Sequence, residues 1–442
     1  DHVTVDPPTV DLPTTATVEV EPGTVRTYTR DDGTELTATY PGNGTDTSPY
    51  LVDSLADLQA ININATTRGE QYRLAEDIDT SATNNASWNG GSGFEPIGGA
   101  SGESFEGTID GNGHAISNLS VNRSDTSTAG LVGELGSSGS IQNLTIDRSS
   151  EWYIGLFGNI DGATVTNTTL AGVNVTGHAR VGGLVGQHDE ETVLRNVSAS
   201  GVVEGNDSVG GLVGWQSGRM YDASSSVAVT GANEIGGLVG YHDYGGIRNA
   251  TVTGNVTGSG DNVGGAIGYV SNAKIDGESY PTWNVTARGA VSGNSHVGGL
   301  VGEIQSGDRF YRSVASGDVT ASGDYVGGVV GKAEDGAVLG SYSTGDVEGD
   351  TWVGGIAGNI FYVENSHATG NVVGNDTVGG LAGSSDQILA SHATGEVDGN
   401  ETVGGLVGEA RGVIDGTYAT GNVTGQNDVG GLVGIKSLRG FI

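Results

Sequence analysis

Val181-Gly182-Gly183-Leu184-Val185-Gly186 is the stretch on which the reading of this chain turns, because it returns little altered as far as Val429-Gly430-Gly431-Leu432-Val433-Gly434. Aligned on their first residue, the copies begin at Val181, Val209, Ile235, Val263, Val297, Val326, Val353, Val378, Val403 and Val429, with looser versions at Thr128 and Tyr153. The spacing is mostly about 25 to 28 residues, the period of a solenoid or an array. Between copies, runs such as Ser366-His367-Ala368-Thr369-Gly370-Asn371-Val372-Val373-Gly374-Asn375-Asp376-Thr377 alternate short Val/Thr-rich segments with Gly and Asn. That is strand, turn, strand, turn, with no helical periodicity. One such coil cannot bury its apolar side alone, so coils stack and share a core. The expected fold is all-β, a right-handed parallel β-helix of about 12 or more coils and roughly 55 to 60 Å long at the usual strand spacing. Gly-Gly is expected to supply a positive-φ corner, with the flanking Val and Leu pointing inward. A propeller is the competing architecture, but its blades are longer and need four strands each.

The Gly-Gly-Leu-Val-Gly core occurs together with a second motif. Gly93-Phe94-Glu95-Pro96-Ile97-Gly98 is followed by the run Phe105-Glu106-Gly107-Thr108-Ile109-Asp110-Gly111-Asn112-Gly113-His114-Ala115-Ile116. In that order the two resemble the GLUG-repeat proteins of prokaryotic cell surfaces, over roughly residues 50 to 442. The resemblance implies large secreted or surface-attached proteins, many of them adhesin-like, and carries no catalytic residue across. Extracellular localisation at a cell surface is the expectation that follows.

Acidity points the same way. Of 442 residues, 53 are Asp or Glu against 18 Lys or Arg, a net charge of −35 that excludes nucleic acid and anionic membranes as partners. Two residues before the motif Val sit Asp207, Asp261, Asp324, Asp376 and Glu401, so Asp376 and Glu401 are expected one coil apart. Unit charges about 5 Å apart repel by roughly 0.8 kcal/mol even in water. Molar salt shrinks the Debye length to about 3 Å and screens this, and acid-rich, lysine-poor composition is similar to that of haloarchaeal proteins. Bound calcium is the rival explanation. It makes Asp376 and Glu401 candidate weak cation sites, for calcium or another cation. Cysteine is absent, and no 18-residue apolar run suggests insertion into a membrane.

Asn-x-Ser/Thr sequons begin at Asn43, Asn64, Asn85, Asn118, Asn122, Asn143, Asn167, Asn174, Asn196, Asn206, Asn249, Asn255, Asn284, Asn375, Asn400 and Asn422. They mark N-glycosylation candidates and favour an extracellular glycoprotein. The competing account is that Asn and Thr are what β-helix corners and strands prefer, so that repeating the coil repeats the sequon.

Organisation follows composition. Residues 1–49 hold six of the eight prolines and read as an extended segment with a hairpin, Thr24–Arg30 and Thr34–Tyr40 about an Asp31-Asp32-Gly33 turn. Residues 50–127 open with a helix expected over Tyr50–Ile61, placed to cover the first coil, followed by irregular coils in which Trp88 and Phe94 pack the cap. The regular GLUG-repeat β-helix is assigned to 128–442. Its last residues offer no cap, which suggests a piece of a longer protein or an end that meets another chain.

The residue after each motif is mostly polar and should face solvent. In three consecutive coils it is aromatic, Trp215, Tyr241 and Tyr269, expected to form an exposed column. His188-Asp189 and His242-Asp243 follow in register, completing a candidate glycan-binding surface. A hydrolase reading needs Asp189 and Asp243 about 9.6 Å apart, near the wide limit for an inverting carboxylate pair. The bland reading is a stabilising stack beside a solvated loop. Tyr342, His367, His392 and Tyr418 form a second column, in which two stacked His suggest a metal while a third ligand is not evident. The long coil from Val263 to Val297, with Tyr280, Pro281, Trp283 and Asn284, reads as a protruding loop. No residue is assigned a catalytic role. The functional expectation is a structural or adhesive β-solenoid whose partners are other copies of itself, surface proteins or glycans, with a polysaccharide-binding viral spike or polysaccharide-degrading enzyme as the alternative.

Overall fold

The computed structural model describes residues 24–30, 33–99, 103–121, 130–147, 155–271, 274–275, 278–279, 282–305 and 309–437. The extended segments expected before residue 24, Asn122, and Tyr280 and Pro281 of the protruding loop lie outside them.

Val and Leu of each motif need an interior, and the structure makes one by stacking. Strands Phe157–Ile160, Val185–His188, Val213–Gln216, Val239–His242 and their successors to Val433–Lys436 pair in parallel, each with the same strand one coil on. With Val132–Leu135 below them they form twelve copies joined by eleven steps, a stack about 53 Å long at about 4.8 Å per step. The segments beginning the motif, such as Asp207–Gly210 and Glu401–Gly404, form a separate ten-stranded sheet along a second side. The strands between motifs, such as Val372–Val373 and His392–Ala393, close the coil. The architecture is a parallel β-solenoid.

Inside, Val209, Leu212 and Val213 are fully buried, as are their counterparts in the next coil, Ile235, Leu238 and Val239. Each such side chain contributes about 1.5 to 3 kcal/mol through burial, and each coil adds the same set again. The motif glycines serve this packing differently from expectation. In the regular copies their φ angles are not positive. A Cβ on Gly210 would lie well inside 3.0 Å of the Val213 carbonyl, and one on Gly211 well inside 3.0 Å of Gly237 in the next coil. Room, not handedness, demands glycine there. The left-handed residue is the one preceding the motif Val: Arg180, Ser208, Glu234, Asn262, His296, Tyr325, Trp352, Thr377, Thr402 and Asp428 have φ between 48° and 63°. Such a conformation costs a non-glycine residue about 1 kcal/mol or more, and repeating it in every coil implies that the corner imposes it.

At the N-terminal end, Thr24–Thr29 and Glu35–Tyr40 pair as the expected antiparallel hairpin. The helix is shorter than the apolar spacing implies. Tyr50–Val52 is a strand paired with Tyr72–Leu74, and the helix runs only Leu55–Ala60, where the Ser54 hydroxyl caps it by accepting from Asp57 N. Available strand partners outweigh a helical pattern at its first turn. Asp57 Oδ1 accepts from Thr39 N at 3.0 Å, which fastens helix to hairpin. Gln59 exchanges two hydrogen bonds with the Glu95 backbone, fastening the helix to the first coils. Phe94 is fully buried, and Arg30 covers the Trp88 ring.

Candidate functional site

Trp215, Tyr241 and Tyr269 occupy one register position in three consecutive coils. Because side chains alternate along a strand, this position faces outward while its neighbours face the core. Trp215 and Tyr241 stack at 3.9 Å between centroids and 12° between planes; Tyr241 and Tyr269 follow at 5.2 Å and 42°. Arg180, swung outward by its left-handed backbone, lies 4.6 Å from the Trp215 ring and hydrogen-bonds Gln187. Tyr269 Oη donates to Gln305 at 2.5 Å. The consequence is chemical. Sugar rings bind aromatic faces, and here the faces cover one another, leaving mainly rims to solvent.

His188 and His242 do not join this surface. The same alternation that sends Gln187 and Tyr241 outward turns His188, Gln216 and His242 inward, where they stack in register with relative exposures of 0%, 0% and 1%. His188 Nδ1 faces both Gly218 N and the Asp189 carbonyl oxygen, each at 3.2 Å. His188 Nε2 and Gln216 Oε1 find no partner among the described residues. Burial pushes both histidines down, each to about 4; for His242 the charge of His188 adds to the effect.

The carboxylates separate too. Asp243 Oδ1 accepts from Ser271 at 2.6 Å. Asp189 accepts from Gly162 N and Thr192 Oγ1 and shares a hydrogen bond with Asp161, one coil back. That shared bond raises the Asp161 pKa above its ordinary value; in Asp189 burial works upward, but the bonds it accepts outweigh it and lower the group. Asp189 therefore has Asp161 as its carboxylate neighbour one coil away, a pairing that follows from counting eight residues on from the motif copies at Tyr153 and Val181, with Asp243 two coils on from Asp189.

In the coil next to that of Tyr269, the aromatic surface continues at a different motif position. His296, Tyr325 and Trp352 hold the left-handed position before the motif Val, with Tyr325 and Trp352 stacked at 4.6 Å and 8°. Lys332 bonds Glu303 at 3.3 Å and lies 5.4 Å from the Tyr325 ring. Aligning the residue before each motif Val would have shown this column in the sequence. Tyr342, His367, His392 and Tyr418 stack with centroids 4.6 to 5.0 Å apart and planes within 9°. Among the described residues no group of three His, Cys, Asp or Glu is arranged to hold a metal ion. Asp376 and Glu401 are register partners one coil apart, as expected.

The sequons turn out to build ladders. Asn143 Nδ2 donates to Asp110 Oδ1 at 3.0 Å, Asn167 to Asn143 at 3.2 Å and Asn196 to Asn167 at 2.7 Å. Asn249 donates to Asp222 and Asn284 to Asn249, each at 3.1 Å. All five asparagines have positive φ, a conformation Asn tolerates better than most residues. On other edges Asn400 donates to Asn375, Asn118 to Asp79, Asn206 to Asp207 and Asn422 to Glu396.

Comparison with known proteins matches this architecture. The GLUG motif is recognised at residues 231–257 and 322–348, each window one coil around a motif copy. Halomucin of the haloarchaeon Haloquadratum walsbyi is 40% identical over 454 aligned positions, which cover 78% of this chain and 5% of halomucin. A protein of Evansella cellulosilytica, provisionally named a Gly-rich membrane protein, is 38% identical over 101 positions, 23% of this chain and 11% of its own length. This chain thus spans only a small part of either relative. A solved structure from Bacteroides ovatus, provisionally named an immunoglobulin A1 protease, aligns over 88% of this chain and 86% of its own at 16% identity, with a TM-score of 0.20. The chain carries GLUG repeats, and its relatives fit a surface protein.

Proposed function

We propose that this chain is an extracellular structural segment of a surface protein adapted to high salt, a rigid acidic rod that spaces or presents other parts of a larger assembly. The observation that carries the reading is the stack itself. Twelve motif copies repeat one core, and their outward positions are spent on neighbour-to-neighbour contacts: stacked aromatic rings, asparagine ladders and an Asp161–Asp189 pair. Such contacts stiffen a rod along its axis. Resemblance to GLUG-repeat surface proteins and similarity to halomucin support an extracellular place. Among the described residues no helix is long and apolar enough to cross a membrane. An adhesive or filament-forming role is the finer part of the proposal, with other copies of the chain, surface proteins or glycans as partners. N-glycosylation belongs to it as well, on the strength of the sequons.

Electron microscopy of the purified chain in about 2 M salt, where the Debye length is below 3 Å, tests the role. Regular end-to-end polymers support the filament form, and separate rods bound to surface partners support the adhesive one. The polysaccharide-degrading alternative makes a different forecast: Asp189→Asn or Asp243→Asn would abolish cleavage of a polysaccharide while leaving the fold intact. We expect neither to have a cleavage activity to lose. Asp376 and Glu401 stay the candidate cation positions; a calcium-dependent rise in thermal stability that Asp376→Asn removes would establish them.

A further inference from the structure

Resting on the glycoprotein reading, we propose that Asn43 and Asn85 are the glycan acceptors of the folded chain, and that the ladder asparagines are sequons in spelling only. Attachment forms a bond between Asn Nδ2 and the anomeric carbon of a sugar carried on a phosphate donor. The bond from that carbon to the phosphate oxygen breaks, the phosphate leaves with the electron pair, and Nδ2 gives up one proton to a base. An amide nitrogen is a poor nucleophile because its lone pair is delocalised into the carbonyl. A hydrogen bond donated to Oδ1 polarises the amide and eases loss of the Nδ2 proton, provided that both N–H bonds can be reached.

Asn43 and Asn85 meet these conditions with the donor supplied by the hydroxyl of their own sequon. Asn255 and Asn375, also exposed and outside strands, instead accept at Oδ1 from the next coil, from Ala290 N and Asn400 Nδ2. Thr45 Oγ1, the hydroxyl of its own sequon, donates to Asn43 Oδ1 at 2.7 Å. Ser87 donates to Asn85 Oδ1 twice, from N and from Oγ, each at 3.0 Å. Both asparagines are exposed, neither lies in a strand, and neither Nδ2 has a hydrogen-bond partner among the described residues. Asn43 lies in the turn between the hairpin and the first coil, and Asn85 between two short helical turns, Ser81–Asn84 and Trp88–Gly91.

The ladder asparagines are exposed too, but they fail on access to both N–H bonds and on the source of the donor to Oδ1. Asn143, Asn167 and Asn196 each commit an Nδ2 proton to the coil below, and the carbonyls of Asn143 and Asn167 are occupied by the coil above. Their sequon hydroxyls, Thr145, Thr169 and Ser198, sit in strands paired to neighbouring coils. A sugar on one rung would also lie across an asparagine side chain about 4.8 Å away. Asn64 is excluded for another reason: its Oδ1 accepts from Thr66 N and Thr67 N as a helix cap, so its sequon is wound into the helix Ala65–Arg68. Glycan would then cluster at the helix-bearing end and leave the flanks of the solenoid bare.

Glycopeptide mass spectrometry of the full chain, exported from a haloarchaeal host and digested after Asp and Glu, reads occupancy at each sequon. The expected result is occupancy at Asn43 and Asn85 at least about tenfold above any ladder asparagine, with Thr45→Val and Ser87→Ala each removing sugar from its own asparagine only. Equal or greater occupancy along Asn143, Asn167 and Asn196 overturns the assignment while leaving the glycoprotein reading intact. Sugar at no sequon overturns both.

Discussion

Gly405→Ala and Gly431→Ala change the same motif position in successive coils, and stacking predicts opposite outcomes for them in the 442-residue chain. At Gly405 the added methyl would press into the Gly431 carbonyl of the next coil, well inside the 3.0 Å that Cβ atoms keep. At Gly431 it would meet nothing within 4 Å. The obstruction in the first case is backbone on both sides, so no rotamer relieves it, and overpacking of this kind costs about 1 to 3 kcal/mol. Separating the coils also loosens inter-coil bonds such as Gly405 N to Gly430 O at 3.0 Å and Leu406 N to Leu432 O at 2.9 Å, each worth about 1 kcal/mol. Alanine returns about 0.4 to 1 kcal/mol by restricting the unfolded chain. The net is a loss of about 3 kcal/mol, a roughly hundredfold rise in local opening. Native-state hydrogen exchange over residues 403–410, followed by mass spectrometry at high salt, reads that opening coil by coil, which suits a solenoid whose unfolding is not all-or-none. Gly431→Ala should leave exchange there unchanged. If both variants loosen the segment equally, glycine is needed for its own backbone conformation, and the steric account of the motif is wrong.

Acid should destabilise the rod through its interior. His188 and His242 stay neutral in the fold down to about pH 4, whereas the unfolded chain takes up protons near pH 6.5, so the unfolded state binds more protons between those values and stability falls as pH drops through that window. The loss is on the order of 3 kcal/mol for each histidine; denaturant midpoints from pH 7 to 4.5 check it, and His188→Gln, which copies Gln216 of the same column, should flatten the dependence. Salt should act on the exterior: thermal midpoints are expected to rise from 0.1 to about 2 M KCl as screening shortens, and Asp376→Asn with Glu401→Gln should reduce that slope. In the asparagine ladder, Asn196→Ala removes the bond to Asn167 and places alanine at φ 51°, for a loss of about 2 kcal/mol. Asn196→Gly, which relieves the backbone, should cost less, and the order of their thermal midpoints tests whether the ladder and the left-handed turn act together.

What could be read from the sequence depended on whether its cause was local to the coil. Val, Gly and Leu recur with the coil, so the solenoid and the register of Asp376 on Glu401, or of Tyr342 on His367, His392 and Tyr418, were legible from spacing alone. Trp215, Tyr241 and Tyr269 were placed correctly for the same reason. His188 and His242 were not, because a one-residue step along a strand crosses from surface to core, and a polar residue there was not anticipated. The demand for Gly-Gly comes from a carbonyl in the next coil, a contact about 26 residues away that a repeat period implies only after the turn is drawn. Asp189 and Asp243 are in register two coils apart, and Asp161, at the same position after the looser copy at Tyr153, is the carboxylate one coil from Asp189. Tyr50–Val52 kept an apolar spacing suited to a helix and became a strand because Tyr72–Leu74 lay alongside it. The sequons concealed a ladder, since Asn followed by x-Thr is equally the signature of a left-handed corner leading into a strand.

Immunogold electron microscopy on intact cells of the source organism, with antibody raised against the folded chain and the cells kept at their growth salt, tests the proposed extracellular structural role most directly. The account predicts gold on the outer surface of unbroken cells, in rows or patches, with no gain in signal after permeabilisation. Gold that appears only once the cells are opened would contradict it.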